Sequence, residues 1–343
     1  MSELKRVSWL DYGKCICMLM VIFSHTVTLY TGRTNTFLNL MSPTRLLVFF
    51  FISGYLTKIE AFNFKKTMTS IVKKLLFPYF LFTTIIFIPK HFAHGTEISF
   101  STMAYEILGG YASWFVAALA VSKITLAICI KYIKNLIALG ITCVLLAVVG
   151  FLATQYTHAP IPWYAHYGLI SLIYLYMGIL YKKYEQKLSQ RIGWQAIVST
   201  IVYFLFVCLD YFWLRNSVFF YSMKAGDVSA VGVMSFLCLS TLGIWMMVSI
   251  VKSIPEGVKW MSYIGRNSLT YYYLNTGLLL VILAALSRLN LLCNSGWFIF
   301  PLFIVVVLIL TVISQGILRY APWMVGNFSS KKTLDKNRIY FKN

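Results

Sequence analysis

Charged residues are scarce in this 343-residue chain, in which Asp, Glu, Lys and Arg together make up 12%. A soluble protein of this length has roughly a quarter of its residues charged. Hydrophobic residues instead make up 59% of the chain, the mean hydropathy is +0.75, and strongly apolar runs recur along its whole length. The composition therefore excludes an ordinary soluble domain and predicts an all-α protein that crosses a membrane many times.

The motifs of soluble enzymes are also missing. The chain has no G-x-S-x-G elbow, no G-x-x-x-x-G-K-[ST] loop and no H-E-x-x-H pair. None of the seven cysteines forms a C-x-x-C pair with another, so that form of redox or zinc site is excluded. Most of the cysteines lie within apolar runs and are predicted to be small buried side chains. We predict no metal site.

The apolar runs predict ten membrane spans. They lie at about 9–30, 44–60, 74–90, 112–130, 136–155, 166–182, 194–212, 228–251, 268–287 and 297–319. The polar joints alternate in charge: one set holds 22 of the 30 Lys and Arg residues, whereas the other holds six. Because cytoplasmic loops carry an excess of Lys and Arg, this alternation predicts that both termini are cytoplasmic. We assign residues 1–325 to one membrane domain and 326–343 to a basic cytoplasmic tail.

The first span carries three ionisable side chains: Asp11, Lys14 and His25. Helical geometry places Lys14 and His25 within about 20° of one face and about 16 Å apart along the axis. Asp11 precedes Lys14 by three residues and can reach it. Charged groups that face lipid are costly, so this face is predicted to line the bundle interior or a wet cavity. The alternative is an Asp–Lys pair that reaches the membrane interface and a histidine that is hydrogen-bonded in the core.

Five segments of the chain resemble the motifs of one known family. In chain order they are Asp11-x-x-Lys14 with His25; Arg45 with Phe49-Phe50-Phe51-Ile52-Ser53-Gly54-Tyr55-Leu56; Lys73-Lys74 with Phe77-Pro78-Tyr79; Trp114-Phe115; and Gly265-Arg266-Asn267-Ser268-Leu269. Their types and order resemble the acyltransferase-3 family, whose members are bacterial integral membrane O-acyltransferases of surface glycans. Two positions depart from the family pattern: Lys14 stands where arginine is frequent, and Asn275 stands where many relatives have histidine.

The resemblance implies an acyl-CoA-dependent acyltransferase in the bacterial inner membrane. The family moves an acyl group, usually acetyl, from cytoplasmic acyl-CoA to a sugar hydroxyl of a surface polysaccharide, such as capsule or O-antigen, or of its lipid-linked precursor. Acyl-CoA is then a donor substrate rather than a bound cofactor; the other partners are the glycan and membrane lipid, and nucleic acid is not a partner. The strongest alternative is a many-span transporter or flippase of a glycan or lipid, against which the absence of matching half-chain repeats argues.

The resemblance also implies roles for individual residues. His25 is the expected catalytic residue together with Asp11, and an imidazole can take and return a proton near neutral pH. Two mechanisms stay open: His25 acts as general base for attack by the sugar hydroxyl, or as the nucleophile that forms a transient acyl-imidazole. Lys14, Lys73 and Lys74 are expected to bind the phosphates of acyl-CoA. The residues expected to position the substrate or its thioester are Arg45, Ser53, Trp114 and Lys123.

Several of these residues and some further polar side chains have alternative interpretations. Arg45 could instead lie at the membrane interface, and Trp114 with Tyr111 could belong to the aromatic belt that membrane proteins have by default. Lys123 either faces the cavity as a cation or pairs with a carboxylate that the sequence does not identify. The remaining predictions are solvated, non-metal histidines in external loops (His91, His94, His158 and His166) and glycan contacts at the outer mouth (Asp210 and Asp227).

Overall fold

The computed structural model describes residues 7–33, 42–94, 99–157, 161–214, 230–291 and 296–328. Within these ranges the chain is helical and contains no β-strand. The helices are α1 Ser8–Thr31, α2 Ser42–Tyr55, α3 Phe64–Ile71, α4 Phe77–His94, α5 Phe100–Leu108, α6 Trp114–Tyr132, α7 Leu136–Tyr156, α8 Ala165–Ile170, α9 Leu172–Leu188, α10 Ile192–Leu209, α11 Ala230–Ser253, α12 Lys259–Arg266, α13 Ser268–Arg288 and α14 Ile299–Tyr320. The predicted all-α fold is confirmed.

Eight of the described helical segments are long and apolar enough to cross a membrane. They are Ser8–Thr31, Phe64–Pro89, Trp114–Tyr132, Leu136–Tyr156, Ile192–Phe212, Ala230–Ser253, Ser268–Arg288 and Gly296–Tyr320. The two other predicted spans take different forms. The span expected at 44–60 is the shorter apolar helix α2, and the span expected at 166–182 is divided at Ser171 into α8 and α9. The protein is therefore a polytopic membrane protein.

The span expected at 74–90 belongs to a longer helical segment. A π-helical turn, Val72–Leu76, joins α3 directly to α4, so that helical structure continues from Phe64 to His94. Lys73 and Lys74 both lie in this turn, and both are exposed. The turn thus places two neighbouring lysines where the polar helix α3 meets the apolar helix α4.

Two glycines allow α2 and α9 to approach each other closely. A Cβ at Gly54 would lie 1.9 Å from the carbonyl oxygen of Leu175, and a Cβ at Gly178 would lie 2.0 Å from that of Phe51. A larger residue at either position would force the two helices apart. Small residues serve this purpose in membrane bundles, where helix association depends on close packing.

The predicted cytoplasmic joints lie together at one end of the bundle, which we call the basic end. The rings of Trp9, at the start of α1, and Tyr55, at the end of α2, have centroids 5.1 Å apart. Lys252 Nζ, at the end of α11, lies 2.7 Å from Glu185 Oε1 of α9 and 5.3 Å from the Trp9 ring centroid. These contacts join four helices whose charged ends the sequence predicts to be cytoplasmic.

The other basic joints reach the same end. Lys131 Nζ, near the end of α6, lies 4.9 Å from the ring centroid of Phe64, where α3 begins. Lys73 Nζ lies 5.9 Å from the ring centroid of Phe328, which follows α14. Gly326, with φ at 77°, lets this segment pass the π turn, because a Cβ there would lie 2.1 Å from the Lys73 carbonyl oxygen. The described joints that carry the excess of Lys and Arg thus lie together at one end of the bundle.

The cysteines divide between the core and the surface of the bundle. Cys15, Cys17, Cys129 and Cys143 are buried free thiols, as predicted. Cys208 of α10 and Cys238 of α11 are instead exposed, since they lie on outward faces of apolar helices. Cys293 is outside the described residues.

Candidate active site

At the basic end, Asp11 contacts two cations that are distant from each other in the sequence. Lys14 Nζ donates to Asp11 Oδ1 at 3.2 Å, and Arg266 Nε lies 3.5 Å from Asp11 Oδ2. The Asp11 side chain is buried, whereas Lys14 is partly exposed and Arg266 about half exposed. Gly265 permits the approach, because a Cβ there would lie 1.9 Å from the Asp11 carbonyl oxygen. Two of the five sequence motifs therefore meet at Asp11.

Tyr12, the residue after Asp11, holds the short linker between α11 and α12. The Tyr12 hydroxyl donates to the carbonyl oxygen of Pro255 at 3.3 Å and accepts from the backbone N–H of Val258 at 3.0 Å. Val258 immediately precedes α12. Helix α1 thus fixes both the start of α12, through Tyr12, and its end, through Asp11.

Lys123 of α6 lies near two further lysines. Its side chain is half-buried, and the charges that act on it are those of Lys74 and Lys14. Helix α6 packs against the π turn that carries Lys74. Among the described residues Lys123 has no hydrogen-bond or ion-pair partner, so the alternative of a carboxylate partner is not observed there. We call Lys14, Lys74 and Lys123 the lysine cluster; a bound anion would relieve the repulsion among their charges.

Toward the opposite end of α1, His25 contacts α13. His25 Nδ1 lies 2.6 Å from Asn275 Oδ1 and 3.1 Å from Thr276 Oγ1. Asn275 is buried, and its Nδ2 donates to the backbone oxygens of Tyr271 at 3.2 Å and Tyr272 at 2.5 Å. His25 itself is half-buried. One edge of the imidazole is therefore held by α13, while part of the ring stays accessible.

Arg45 lies in the first turn of α2, where it is buried and acts electrostatically on His25. Its neighbour Thr44 is fully buried and donates from its hydroxyl to that of Tyr203 at 3.2 Å. Gly243 of α11 makes room for Thr44, because a Cβ there would lie 1.9 Å from Thr44 Oγ1. The start of α2 is thus enclosed by other helices, and the burial of Arg45 argues against an exposed interfacial position.

The Trp114-Phe115 pair at the start of α6 connects α2 to α13. The Phe115 ring contacts Phe50 of α2, at 5.6 Å between centroids, and Tyr272 of α13, at 5.2 Å. The carbonyl oxygen of Tyr272 accepts a hydrogen bond from Asn275, which in turn contacts His25. By packing against Tyr272, Phe115 therefore supports the position of Asn275. Trp114 is half-buried among other aromatic rings.

The predicted site residues form two groups rather than one. Asp11 lies fourteen residues before His25 on α1, about 21 Å along the axis, and contacts cations instead of the imidazole. Ser53 is half-buried near the basic end, two residues before the end of α2. The group near the basic end comprises Asp11, Lys14, Ser53, Lys73, Lys74 and Lys123. The second group, which we call the His25 site, comprises His25, Arg45, Asn275 and Thr276, with Trp114 nearby.

The sequence did not predict three of the residues that contact Asp11 or His25. Arg266 belongs to a recognised motif, but only the fold reveals that it reaches Asp11. Asn275 and Thr276 had no predicted role beyond the departure of Asn275 from the family pattern. The sequence feature that could have identified Asn275 and Thr276 is that they form a polar pair within an otherwise apolar span. Polar residues in membrane helices commonly face the bundle interior.

Two histidines predicted to be solvated are instead buried. His91 lies on α4, with its Nε2 3.3 Å from Glu106 Oε1 of α5. His166 lies on α8, with its ring centroid 3.8 Å from that of Tyr167. The prediction was wrong because α4 extends beyond His91 and α8 begins before His166, so neither residue lies in a loop.

Asp210 is fully buried and accepts a short hydrogen bond from the Ser235 hydroxyl of α11, which contradicts its predicted contact with a glycan. It begins the π-helical segment Asp210–Leu214 after α10. His158 and Asp227, which the sequence predicts at external positions, lie outside the described residues, as does the side chain of His94.

The sequence matches a known family over most of its length. The acyltransferase-3 family model, described as an acyltransferase domain, matches residues 7–315. This range contains all five motifs and both groups of site residues, and it confirms the resemblance predicted from the motifs. No curated protein and no solved structure matches the chain.

Proposed function

Because this chain belongs to the acyltransferase-3 family and is a multi-pass membrane acyltransferase, we propose that it acetylates a cell-surface glycan. The donor is acetyl-CoA on the cytoplasmic side of the bacterial inner membrane. The acceptor is a sugar hydroxyl of a surface polysaccharide, such as capsule or O-antigen, or of its lipid-linked precursor. The observation that carries the proposal is that α1 connects the lysine cluster, at Lys14, to the half-buried His25 about 16 Å further along the helix.

The lysine cluster suits the phosphates of CoA. Lys14 and Lys74 are the charges that act on Lys123, and Lys73 adds a further exposed cation in the same π turn. Compact groups of cations attract phosphates, and a bound polyphosphate would neutralise their mutual repulsion. Since the basic joints are predicted to be cytoplasmic, the cluster would be reached from the compartment that contains acetyl-CoA.

We assign His25 the role of general base. The imidazole takes the proton of the sugar hydroxyl while the hydroxyl oxygen attacks the carbonyl carbon of the thioester. The carbon–sulfur bond then breaks, and the CoA thiolate receives the proton from the imidazolium. The products are an O-acetyl ester and CoA with a free thiol, and His25 returns to its neutral form. Atoms and charge balance without another reactant.

The neighbouring residues would divide the remaining tasks. Arg45 is a buried cation that acts on His25, which suits it to stabilise the negative charge that develops on the thioester oxygen. Trp114 would offer an aromatic face to the acceptor sugar. Ser53, near the basic end, would position the donor. Asp11 would hold Lys14 and Arg266 in place rather than transfer a proton, because it lies about 21 Å from His25 along α1.

The second mechanism makes His25 the nucleophile that carries the acetyl group as an acyl-imidazole. It predicts that acetyl-CoA labels the protein at His25 when no glycan is present. Direct transfer predicts no such adduct. Rapid acid quenching of the purified protein with acetyl-CoA alone, followed by intact-mass measurement, separates the two mechanisms.

The test of the proposed function uses inverted membrane vesicles that contain the glycan and receive acetyl-CoA labelled on its acetyl group. The comparison is between wild type, His25→Gln and the matched control His91→Gln, which changes a buried histidine outside the site. We expect base-labile label on the glycan with wild type and His91→Gln. Loss of the general base in His25→Gln should lower the rate by about 100-fold or more.

The outcomes of this assay separate the parts of the proposal. Equal labelling with His25→Gln at equal protein abundance would keep the enzyme and remove His25 as its base. No labelling by wild type, with glycan present, would contradict acetyl-CoA as the donor and favour another acyl donor or glycan transport. Sealed right-side-out vesicles should label only after permeabilisation if the donor site is cytoplasmic.

A further inference from the structure

The orientation of the Asn275 side chain is fixed by its own helix. Its Nδ2 donates to the backbone oxygens of Tyr271 and Tyr272, one turn earlier in α13, at 3.2 and 2.5 Å. A carbonyl oxygen only accepts hydrogen bonds, so rotating the amide by 180° would place its oxygen against two other oxygens. The oxygen Oδ1 of Asn275 therefore points toward His25, where it lies 2.6 Å from Nδ1.

Thr276 completes the same hydrogen-bond pattern. Its hydroxyl donates to Asn275 Oδ1 at 3.2 Å and lies 3.1 Å from His25 Nδ1. A hydroxyl whose hydrogen points to Oδ1 still has lone pairs with which to accept from Nδ1. Both polar atoms beside Nδ1 are then acceptors, and Nδ1 must carry the hydrogen of the neutral imidazole.

We infer that Asn275 is a positioning residue, which together with Thr276 holds His25 as the Nδ1–H tautomer and leaves Nε2 as the only ring nitrogen that can accept the proton of the sugar hydroxyl. The inference rests on the proposed function, because it assigns the atom through which that reaction proceeds. A carboxylate would orient the ring in the same way but would also stabilise the imidazolium. The Asn275 amide orients it without adding a charge.

The kinetic test compares three substitutions whose effects on the tautomer differ. Asn275→Leu removes the acceptor at similar volume, and we expect kcat to fall about 100-fold, within the range of general-base effects. The KM for acetyl-CoA should not change, since the lysine cluster is distant. Thr276→Val removes only the secondary contact and should lower kcat by roughly threefold.

The third substitution, Asn275→Asp, separates positioning from simple packing. An aspartate keeps the oxygen that accepts from Nδ1 but places its second oxygen against the backbone oxygens of Tyr271 and Tyr272, so kcat should lie between the values of wild type and Asn275→Leu. The new carboxylate stabilises the imidazolium, which is the inactive form of a base, so the acid limb of the pH–rate profile should move to higher pH. Among the described residues the charged group that acts on His25 is Arg45, and it is present in both proteins.

A spectroscopic measurement tests the tautomer without turnover. Nitrogen NMR of ¹⁵N-histidine-labelled protein in lipid, with His25→Gln as the difference control, assigns which ring nitrogen of His25 carries hydrogen. We expect a protonated Nδ1 and an unprotonated Nε2 in wild type, and a mixture of both tautomers in Asn275→Leu. A protonated Nε2 in wild type would overturn the inference whether or not the protein transfers acetyl groups.

The kinetic outcomes also remain distinguishable from failure of the proposed function. If wild type transfers acetyl and His25→Gln does not, the proposed function stands and the Asn275 variants decide the inference. Full activity in Asn275→Leu, or equal losses in Asn275→Leu and Asn275→Asp without a pH shift, would overturn it. Membrane abundance and monodispersity in detergent identify any variant that fails to fold, and Thr276→Val then provides the milder substitution.

Discussion

The two ends of α1 use different kinds of interaction to hold polar side chains inside an apolar bundle. At the basic end, Asp11 is held by formal charges, those of Lys14 and Arg266. Further along the helix, His25 is held by the neutral side chains of Asn275 and Thr276. One helix thus has an ionic contact at Asp11 and an uncharged hydrogen-bonded contact at His25.

The difference follows from the cost of charge in a low-dielectric medium. Lys14 and Arg266 are partly exposed, so water can reach the cations that neutralise Asp11. Asn275 is buried, and an uncompensated charge at that depth would cost far more than a neutral hydrogen bond. Donor binding near the basic end should therefore depend on charge, whereas the hydrogen bonds that hold His25 should depend on geometry.

The largest loss of activity is expected from Arg45, the buried cation that acts on His25 beside its neutral partners Asn275 and Thr276. If Arg45 stabilises the developing oxyanion, Arg45→Leu should lower kcat by about 100-fold with little change in the KM for acetyl-CoA. Initial rates of ester formation in vesicles measure both constants.

Arg45→Lys is the matched control, because it keeps the charge and loses the planar fork of donors. It should retain part of the lost activity. Equal and complete losses in both variants, accompanied by low membrane abundance, would instead assign Arg45 to holding α2 in place.

A smaller effect is expected in the lysine cluster. Lys123→Met keeps the length of an unbranched side chain and removes the charge, so the KM for acetyl-CoA should rise about tenfold while kcat stays near wild type. Lys187→Met is the control, since Lys187 is an exposed lysine near the basic end but outside the cluster. The wild-type KM should also rise with salt concentration. A fall in kcat with unchanged KM would place Lys123 in the chemical step.

The smallest effect is expected from Asp11→Asn, which removes a negative charge but keeps an oxygen that can accept from Lys14. We expect roughly a threefold rise in the KM for acetyl-CoA and a lower Tm in detergent, because the contact between α1 and α12 loses its ionic component. Thermal unfolding and initial rates measure these two changes. A loss of kcat above about 100-fold would show that Asp11 takes part in proton transfer, which the distance along α1 argues against.

Much of the architecture was predictable because membrane folds are constrained by hydropathy and charge. The apolar runs predicted most of the helices, and the alternation of Lys and Arg predicted which joints lie together. The extent of individual helices was less predictable. Helix α3 is polar, yet a π turn joins it to α4, and α4 extends past His91. Hydropathy identifies the apolar part of a helix but not its polar continuation.

The site was only partly predictable for a related reason. Periodicity placed Lys14 and His25 on one face of α1, because both residues belong to one helix. The partners Arg266 and Asn275 are about 250 residues away in the sequence, and their contacts depend on how α12 and α13 pack against α1. Close approaches of this kind, such as that at Gly265, follow from tertiary packing rather than from local pattern.

Equilibrium binding of CoA to the purified protein in lipid nanodiscs separates the roles of the two ends of α1. Wild type, His25→Gln and Lys123→Met would be compared at equal concentration and ionic strength. If the two ends of α1 divide binding from chemistry, His25→Gln should bind CoA with wild-type affinity although it does not transfer acetyl, and Lys123→Met should raise Kd about tenfold. Loss of CoA binding in His25→Gln, together with unchanged binding in Lys123→Met, would contradict the account.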